Sequence, residues 1–460
     1  MSSLTPDIRI LLNWRRSCPV RGEIAAIVKF LNKNDNHYYN IPIPPEESTL
    51  TLMTKLHADI AIIGAGPQAL TLVTHILQKK KKLRDRIQVF DPSGTWMTQW
   101  HQQFADLEID QLRSPAVHHP DPNPHALRTF AQGRALELHP PYDRPGTRLF
   151  QDFCNALVHR WQLHDRIVRA QVTRLEPLQK KPSRFRLTLN TGETILARRV
   201  VLATGGGSPQ IPDWVQRVAT GYPAERLCHA SQVKLPSLTS LSGENVLIIG
   251  SGLTSGHLAV GAVKRGAKVL MMARRTFQEK LFDTDPGWLG PKYLKGFHAE
   301  PDMHARWSMV QQARNGGSLT PMMMTQLRRQ SRQGLVTFYD RTQVVDARWK
   351  GDAWQVGCDN HAVHQCIETR PIHRIWLATG TALDIDVHPL LPDVLSKHPV
   401  STVNGLPILD EHLRWPGCEL LVMGPFAALR VGPVARNLYG GKLACEGIVP
   451  ALTKASVARI

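Results

Sequence analysis

Closely spaced cysteines are missing from this chain. Its 7 cysteines (Cys18, Cys154, Cys228, Cys358, Cys366, Cys418, Cys445) form no C-x-x-C pair. That argues against a zinc ribbon, a redox dithiol of close spacing and a disulfide scaffold, and makes a reducing cytoplasm the expected location. No apolar run approaches the roughly 18 residues of a membrane span, so integral membrane contact is not expected. No G-x-S-x-G or other nucleophile motif stands out, so no catalytic residue is assigned. His118, His119 and His125, with Asp121 near them, lack metal-ligand spacing, and no metal is expected. Acidic residues are scarce. Asp and Glu number 38 against 56 Lys and Arg, a net charge of +18. Such an excess asks for nucleic acid, an anionic membrane or anionic small molecules. A basic stripe interleaved with aromatics, or any reader motif, is also lacking, so nucleic acid is not expected.

What is present is a globular chain of 460 residues, 42% hydrophobic and 20% charged. That length predicts two or three domains. Residues 1–52 differ from the rest: an apolar-basic segment, a polar run and then Pro42, Pro44 and Pro45. They do not read as a secretory signal, because no long apolar core follows a short basic start. Two readings stay open: a targeting extension, or a segment upstream of a start at Met53.

From Asp59 the pattern is regular. Asp59–Ile63 is a continuous apolar run, as for a parallel strand buried on both faces. Gly64-Ala65-Gly66-Pro67-Gln68-Ala69 follows, then Leu70, Val73, Ile76 and Leu77 at helical spacing. Ile87–Phe90 is the next strand and ends at Asp91. A G-x-G-x-x-G/A turn is informative only in context, and this one has the strand before, the helix after and the carboxylate at the next strand end. Gly64 allows the tight turn, Gly66 lets backbone approach a pyrophosphate, and Ala69 lets helix and strand pack. The helix N-terminus offers N–H groups and partial positive charge to phosphates. Asp91 is placed to accept from ribose hydroxyls.

The unit recurs. Strand Asn245–Ile249 leads to Gly250-Ser251-Gly252-Leu253-Thr254-Ser255-Gly256, a helix to about Arg265 and a strand over Lys268–Ala273. Arg274 and Arg275 stand where the first unit has its carboxylate. Arginine there suits a 2′-phosphate and points to NADPH. Two Ala-Thr-Gly strands, ending at Gly205 and Gly380, flank this second unit.

Two dinucleotide units so arranged look like the two-dinucleotide-binding-domain flavoproteins. That resemblance implies FAD on the first unit, NADPH on the second, and no disulfide reductase chemistry without a cysteine pair. Further motifs resemble the class B flavin monooxygenases, nearest the lysine/ornithine N-monooxygenases. Gly64 to Leu70 matches G-x-G-P-x-x-L. Gly94-Thr95-Trp96 resembles a G-T-W segment, and Asp110 to Pro115 resembles D-L-x-x-x-R-D-P with Ser114 in place of Asp. Cys228-His229-Ala230-Ser231 is similar to the His-containing fingerprint between the domains, without its F-x-G. Gly432 to Asn437 opens a helix after the strand Leu420–Gly424, and by analogy its N-terminus faces the flavin.

The resemblance implies an α/β protein with two Rossmann-like (three-layer) domains, the NADPH domain inserted into the FAD domain. The expected segments are 53–210 and 375–460 for FAD and 211–374 for NAD(P)H. The cofactor-binding set is Gly64, Gly66, Pro67, Gln68, Ala69, Asp91, Trp96, Arg113, Gly205, Gly250, Gly252, Ser255, Arg274, Arg275, Gly380 and Gly424. The 114–145 loop is expected to cover the flavin. The implied activity is NADPH-driven monooxygenation of a small molecule by dioxygen, through a C4a-hydroperoxyflavin, on an amine or other soft nucleophile. The alternatives are an NADPH:acceptor flavin reductase or oxidase, and a non-catalytic flavoprotein-like regulatory protein. Where the amino-acid hydroxylases carry S-P-F-x-N-E, this chain reads Asp283 to Pro291 without Asn-Glu, which argues against lysine or ornithine. Neither the substrate's identity nor the oligomeric state is legible.

Overall fold

The computed structural model describes residues 57–178, 184–205 and 207–453. The N-terminal extension 1–52 and Met53 lie outside the described residues. β1 (His57–Ile63) runs into α1 (Pro67–Lys79) and returns as β2 (Ile87–Asp91). α2 (Thr147–Arg160) leads to β3 (Ile167–Arg169), then β4 (Val172–Leu178), β5 (Arg184–Leu189) and β6 (Thr194–Leu202). The next group is β7 (Leu227–His229), β8 (Asn245–Ile249), α3 (Leu253–Lys264) and β9 (Lys268–Met272). α4 (Met303–Arg314), α5 (Pro321–Arg332), β10 (Val336–Tyr339) and β11 (Arg374–Leu377) follow. The described chain closes on β12 (Leu420–Val422) and α6 (Leu438–Thr453).

These strands form two main sheets. The first has the order β3-β2-β1-β6-β5-β4, with β12 also on β6. β6 serves both: its N-terminal half pairs antiparallel with β5, and Val200–Leu202 pairs parallel with β12. The second sheet, β7-β11-β8-β9-β10, is parallel throughout. Ile60, Ala61 and Ile62 have no exposed surface, as continuous apolar strands covered on both faces require. Each such isoleucine contributes roughly 2 kcal/mol of burial. α1 turns Leu70, Leu72, Val73, Ile76 and Leu77 into that core, and α6 packs beside it. In the second sheet Val246 and Ile248 face one core with α3 and α5, whereas Leu247 and Leu270 face the other with Trp354 and Ile367. That alternation is the physical content of three layers.

One boundary needs correction. The sequence puts the return to the first lobe at 375, yet β11 lies in the second sheet, between β7 and β8. Ile375, Trp376 and Leu377 are buried there. The crossing comes later: Thr381–Ala382 pairs antiparallel with Ser208–Pro209, so the two connecting segments run side by side. Gly207 sits between them at φ +75°, where a Cβ would stand 2.0 Å from Ala382 O. A short helix, Ala428–Val431, and a 3-10 turn, Gly424–Ala427, also intervene before α6 and carry no sequence signal strong enough to have been expected.

Candidate cofactor and substrate cleft

Parallel strands of both sheets end at one cleft. Register explains this: Ile63 is level with Phe90 and Leu202, and Ile249 with Met272 and Leu377. The glycine turns therefore leave the sheets beside neighbouring strand ends, where open α/β sheets bind ligands. The cleft is about 2960 Å³. Single small-molecule pockets run to about 1,000 Å³, so this volume suits more than one ligand.

The two turns are built alike. Gly64 N–H donates to Phe90 O at 2.9 Å, and Gly250 N–H to Met272 O at 2.9 Å. Gly64 has φ +100°, and a Cβ on it would lie 2.6 Å from Ala203 O. Gly250 has φ +144°, and its Cβ would lie 2.3 Å from Ala378 O. Those alanines open the two Ala-Thr-Gly motifs, so each motif is the floor under a glycine turn. Gly66 and Gly252 are the N-caps of α1 and α3, and neither helix has a side-chain cap. A Cβ on either glycine would meet nothing within 4 Å. Free first-turn N–H groups with open space before them form a cradle that fits a pyrophosphate.

The strand ends differ in charge. Asp91 is anchored: Ala65 N–H donates to Oδ2 at 3.0 Å, while Ser93 N–H and Oγ–H donate to Oδ1 at 3.0 and 2.6 Å. Arg274 lines the cleft, and Arg275 donates from Nη1 to Asn315 Oδ1 at 3.1 Å. Pro67 and Gln68 line the cleft too, as do Gly205 at φ +80° and Gly380 at φ +82°. Gln68 Nε2 donates to Asn437 O at 3.0 Å and ties α1 to the segment before α6.

Four expected residues do not line the cleft. Ala69 has no exposed surface and packs inside the lobe. The Trp96 indole is buried and donates to Leu163 O at 3.1 Å, so it anchors the lobe rather than facing a cofactor. Ser255 is fully buried, with Oγ donating to Gly252 O at 2.6 Å. Gly424 is buried, and the cleft wall is made by the following Pro425 and Phe426. Arg113 does line the cleft, but its donors are taken. Nε reaches Leu281 O at 2.8 Å, and Nη2 reaches Lys280 O at 2.7 Å and Ser318 Oγ at 2.8 Å. It ties the first lobe to loops of the second, and burial pushes its pKa down to about 10.

The 114–145 loop is partly in the cleft wall through His118, whose ring lies 4.9 Å from that of Tyr439. Burial, aided by the charge of Lys442, pushes His118 and His119 down to about 4, so both are neutral. Sequence reading missed Arg314 and Arg436 as cleft residues. Arg314 pairs with Asp283 from a distant part of the chain, with no local pattern to mark it, whereas Arg436 lies near both without pairing and stands in the Gly432 to Asn437 segment that the resemblance singles out.

Two cradles on one cleft, one beside a carboxylate and one beside arginines, define an FAD- and NAD(P)-binding oxidoreductase of the two-dinucleotide flavoprotein class. Comparison with known proteins agrees. The FAD-NAD(P)-binding family matches residues 61–207. The family described as L-lysine 6-monooxygenase/L-ornithine 5-monooxygenase matches residues 150–382, just over half of the chain. The chain belongs to this family of flavin monooxygenases. An ornithine hydroxylase from Pseudomonas aeruginosa superposes with a TM-score of 0.68 at 16% identity, over 86% of this chain and 99% of that one. L-lysine 6-monooxygenase from Pseudomonas syringae gives 0.66 at 19%, over 86% and 99%. A cadaverine monooxygenase from Erwinia amylovora gives 0.67 at 16%, over 86% and 94%. A curated relative, FAD-dependent urate hydroxylase from Xanthomonas campestris, is 34% identical over 109 residues. That match covers 23% of this chain and 22% of that protein. Among the described residues no helix is long and apolar enough to cross a membrane.

Proposed function

We propose that this protein is an NADPH-dependent, FAD-dependent monooxygenase acting on a small amine, with FAD on the first lobe and NADPH on the second. One observation carries the reading: two uncapped, glycine-led helix N-termini open on the same cleft, one beside Asp91 and the other beside Arg274 and Arg275. Bound together, the two cofactors supply hydride transfer and activation of dioxygen.

The chain's own residues do the rest. The N–H groups at the start of α1 and α3 bind phosphate, with the helix dipole behind them. Asp91 is oriented by Ala65 and Ser93 to accept from ribose hydroxyls. Arg274 pairs with a 2′-phosphate, which NADH lacks. Arg113, by clamping Leu281 and Lys280, keeps the loop bearing Asp283 against the first lobe. Asp283 itself is occupied by Arg314 and Asn437, and Asn-Glu is absent from the segment, which supports an acceptor other than lysine or ornithine. The partners are then a small molecule and dioxygen, not nucleic acid. Among the described residues six cysteines are free thiols, which supports a reducing, cytoplasmic site of action.

The test is anaerobic. Protein loaded with FAD is mixed with NADPH or NADH, and the flavin absorbance is followed. Rapid bleaching by NADPH and slow bleaching by NADH are expected. Failure to take up FAD, or no bleaching by either nucleotide, removes the reading.

A further inference from the structure

Three guanidinium groups lie within electrostatic reach of one carboxylate in the cleft, and Arg314 is the one that pairs with it among the described residues. Arg113 comes from the first lobe, Arg314 ends α4, and Arg436 stands just before α6. Asp283 is the carboxylate. Its Oδ2 pairs with Arg314 Nη2 at 3.2 Å, and its Oδ1 accepts from Asn437 Nδ2 at 3.1 Å. Arg314 Nη1 also donates to Pro433 O at 3.1 Å. Arg113 is spent on the backbone of 280 and 281 and on Ser318. Arg436 is different. Among the described residues no hydrogen bond or ion pair holds it, and its side chain is open to the water of the cleft.

Open to water does not mean well hydrated here. Protein surrounds Arg436 on most sides, and that burial, with the like charge of Arg314 beside it, pushes the guanidinium down to about 10 against the pull of Asp283. It stays cationic at neutral pH. Lys442 on α6 adds to the positive field felt at His118. An unpaired, partly dehydrated guanidinium with a planar fork recognises a carboxylate or phosphate. An ammonium at the same place meets three guanidiniums and a carboxylate already occupied.

We infer that the acceptor carries one anionic group, a carboxylate bound by Arg436, and no second ammonium near it: the class is ω-amino carboxylates rather than diamines or α,ω-diamino acids. The inference rests on the monooxygenase reading above and narrows its substrate. A cofactor phosphate offers the same chemistry from another source, and the test separates the two.

Three probes with one skeleton suffice: 5-aminopentanoate, pentane-1,5-diamine and L-ornithine. Each is titrated into FAD-loaded protein saturated with NADP⁺, read by flavin difference absorbance and by calorimetry. 5-Aminopentanoate is expected to bind about 10- to 100-fold tighter than the diamine, the span of a charge-assisted hydrogen bond. L-Ornithine is expected to bind more weakly than 5-aminopentanoate. Arg436→Met should erase the ranking, and Arg436→Lys, which keeps charge without the fork, should retain part of it. Equal affinities, a preference for the diamine, or no binding of 5-aminopentanoate at millimolar concentration overturns the inference. So does an Arg436→Met protein that loses FAD or NADP⁺ while the probe ranking survives, since the guanidinium then serves a cofactor. Correct ranking without NADPH-driven bleaching keeps the anion site and removes the monooxygenase reading.

Discussion

Replacing Gly64 or Gly66 by alanine separates folding from cofactor binding, although the two glycines are only two residues apart. At Gly64 the backbone has φ +100°, and a new Cβ would stand 2.6 Å from Ala203 O and 3.0 Å from Ala203 C. Both atoms are backbone of the neighbouring Ala-Thr-Gly segment, so no side chain can swing away. The backbone conformation costs about 1–3 kcal/mol for a residue with a Cβ, and the overlap about 1–3 kcal/mol more. Gly64→Ala should therefore lower stability by about 2–6 kcal/mol. Gly66 has φ −80°, and its Cβ would meet nothing within 4 Å. Gly66→Ala should leave apoprotein stability within about 0.5 kcal/mol of the parent. Its methyl group enters the space before the α1 N–H groups, where the phosphates are proposed to lie. Losing one charge-assisted hydrogen bond there weakens FAD by about 10- to 100-fold. Denaturant midpoints of the apoproteins and equilibrium titration with FAD measure the two effects. A Gly64→Ala protein as stable as its parent refutes the steric argument. A Gly66→Ala protein with parental FAD affinity refutes the placement of the pyrophosphate.

Two other predictions concern the second nucleotide cradle and the pair of buried histidines. Arg274→Ala should raise KM about 10- to 100-fold for NADPH and leave NADH nearly unchanged, as for loss of a charged hydrogen bond to the 2′-phosphate; equal effects on both nucleotides defeat that assignment. Stability should fall between about pH 6.5 and pH 4, because folded His118 and His119 stay neutral down to about 4 while the unfolded chain binds protons near 6.5. Each group accounts for up to about 3 kcal/mol over that window. His119 is held as a neutral ring, with Nδ1 accepting from Asp121 N–H at 3.2 Å and Nε2 paired with Pro124 O at 3.3 Å. Thermal melts of His119→Gln at pH 7 and pH 4.5 should show a shallower loss than the parent's, and an unchanged slope contradicts the linkage.

Much of the fold was legible because its signals are local. Apolar strands such as Asn245–Ile249, glycine turns and helical spacing can each be read within about fifteen residues, and the structure puts them where expected. The error at 375 shows the limit. Two strands ending in Ala-Thr-Gly are alike in composition and burial, and nothing within Ile375–Gly380 says which sheet will accept it. Trp96 and Ser255 illustrate another limit. Both follow a motif in sequence, yet a buried indole needed the Leu163 carbonyl and a buried hydroxyl the Gly252 carbonyl, and those partners decided their direction. Asp283 and Arg436 stand in segments that the resemblance singles out, but their proximity to each other and to Arg314 is long-range, and nothing local in the sequence marks it.

On the proposed function, electrons from NADPH reach dioxygen in this cleft and one oxygen atom leaves on an acceptor. NADPH oxidation, oxygen uptake and peroxide release, measured together with 5-aminopentanoate present and absent, test it most directly. Matched NADPH and oxygen consumption is expected, with peroxide well below both once the acceptor is present and an N-hydroxylated product in its place. Peroxide equal to NADPH consumed, with every amine tried, would contradict it.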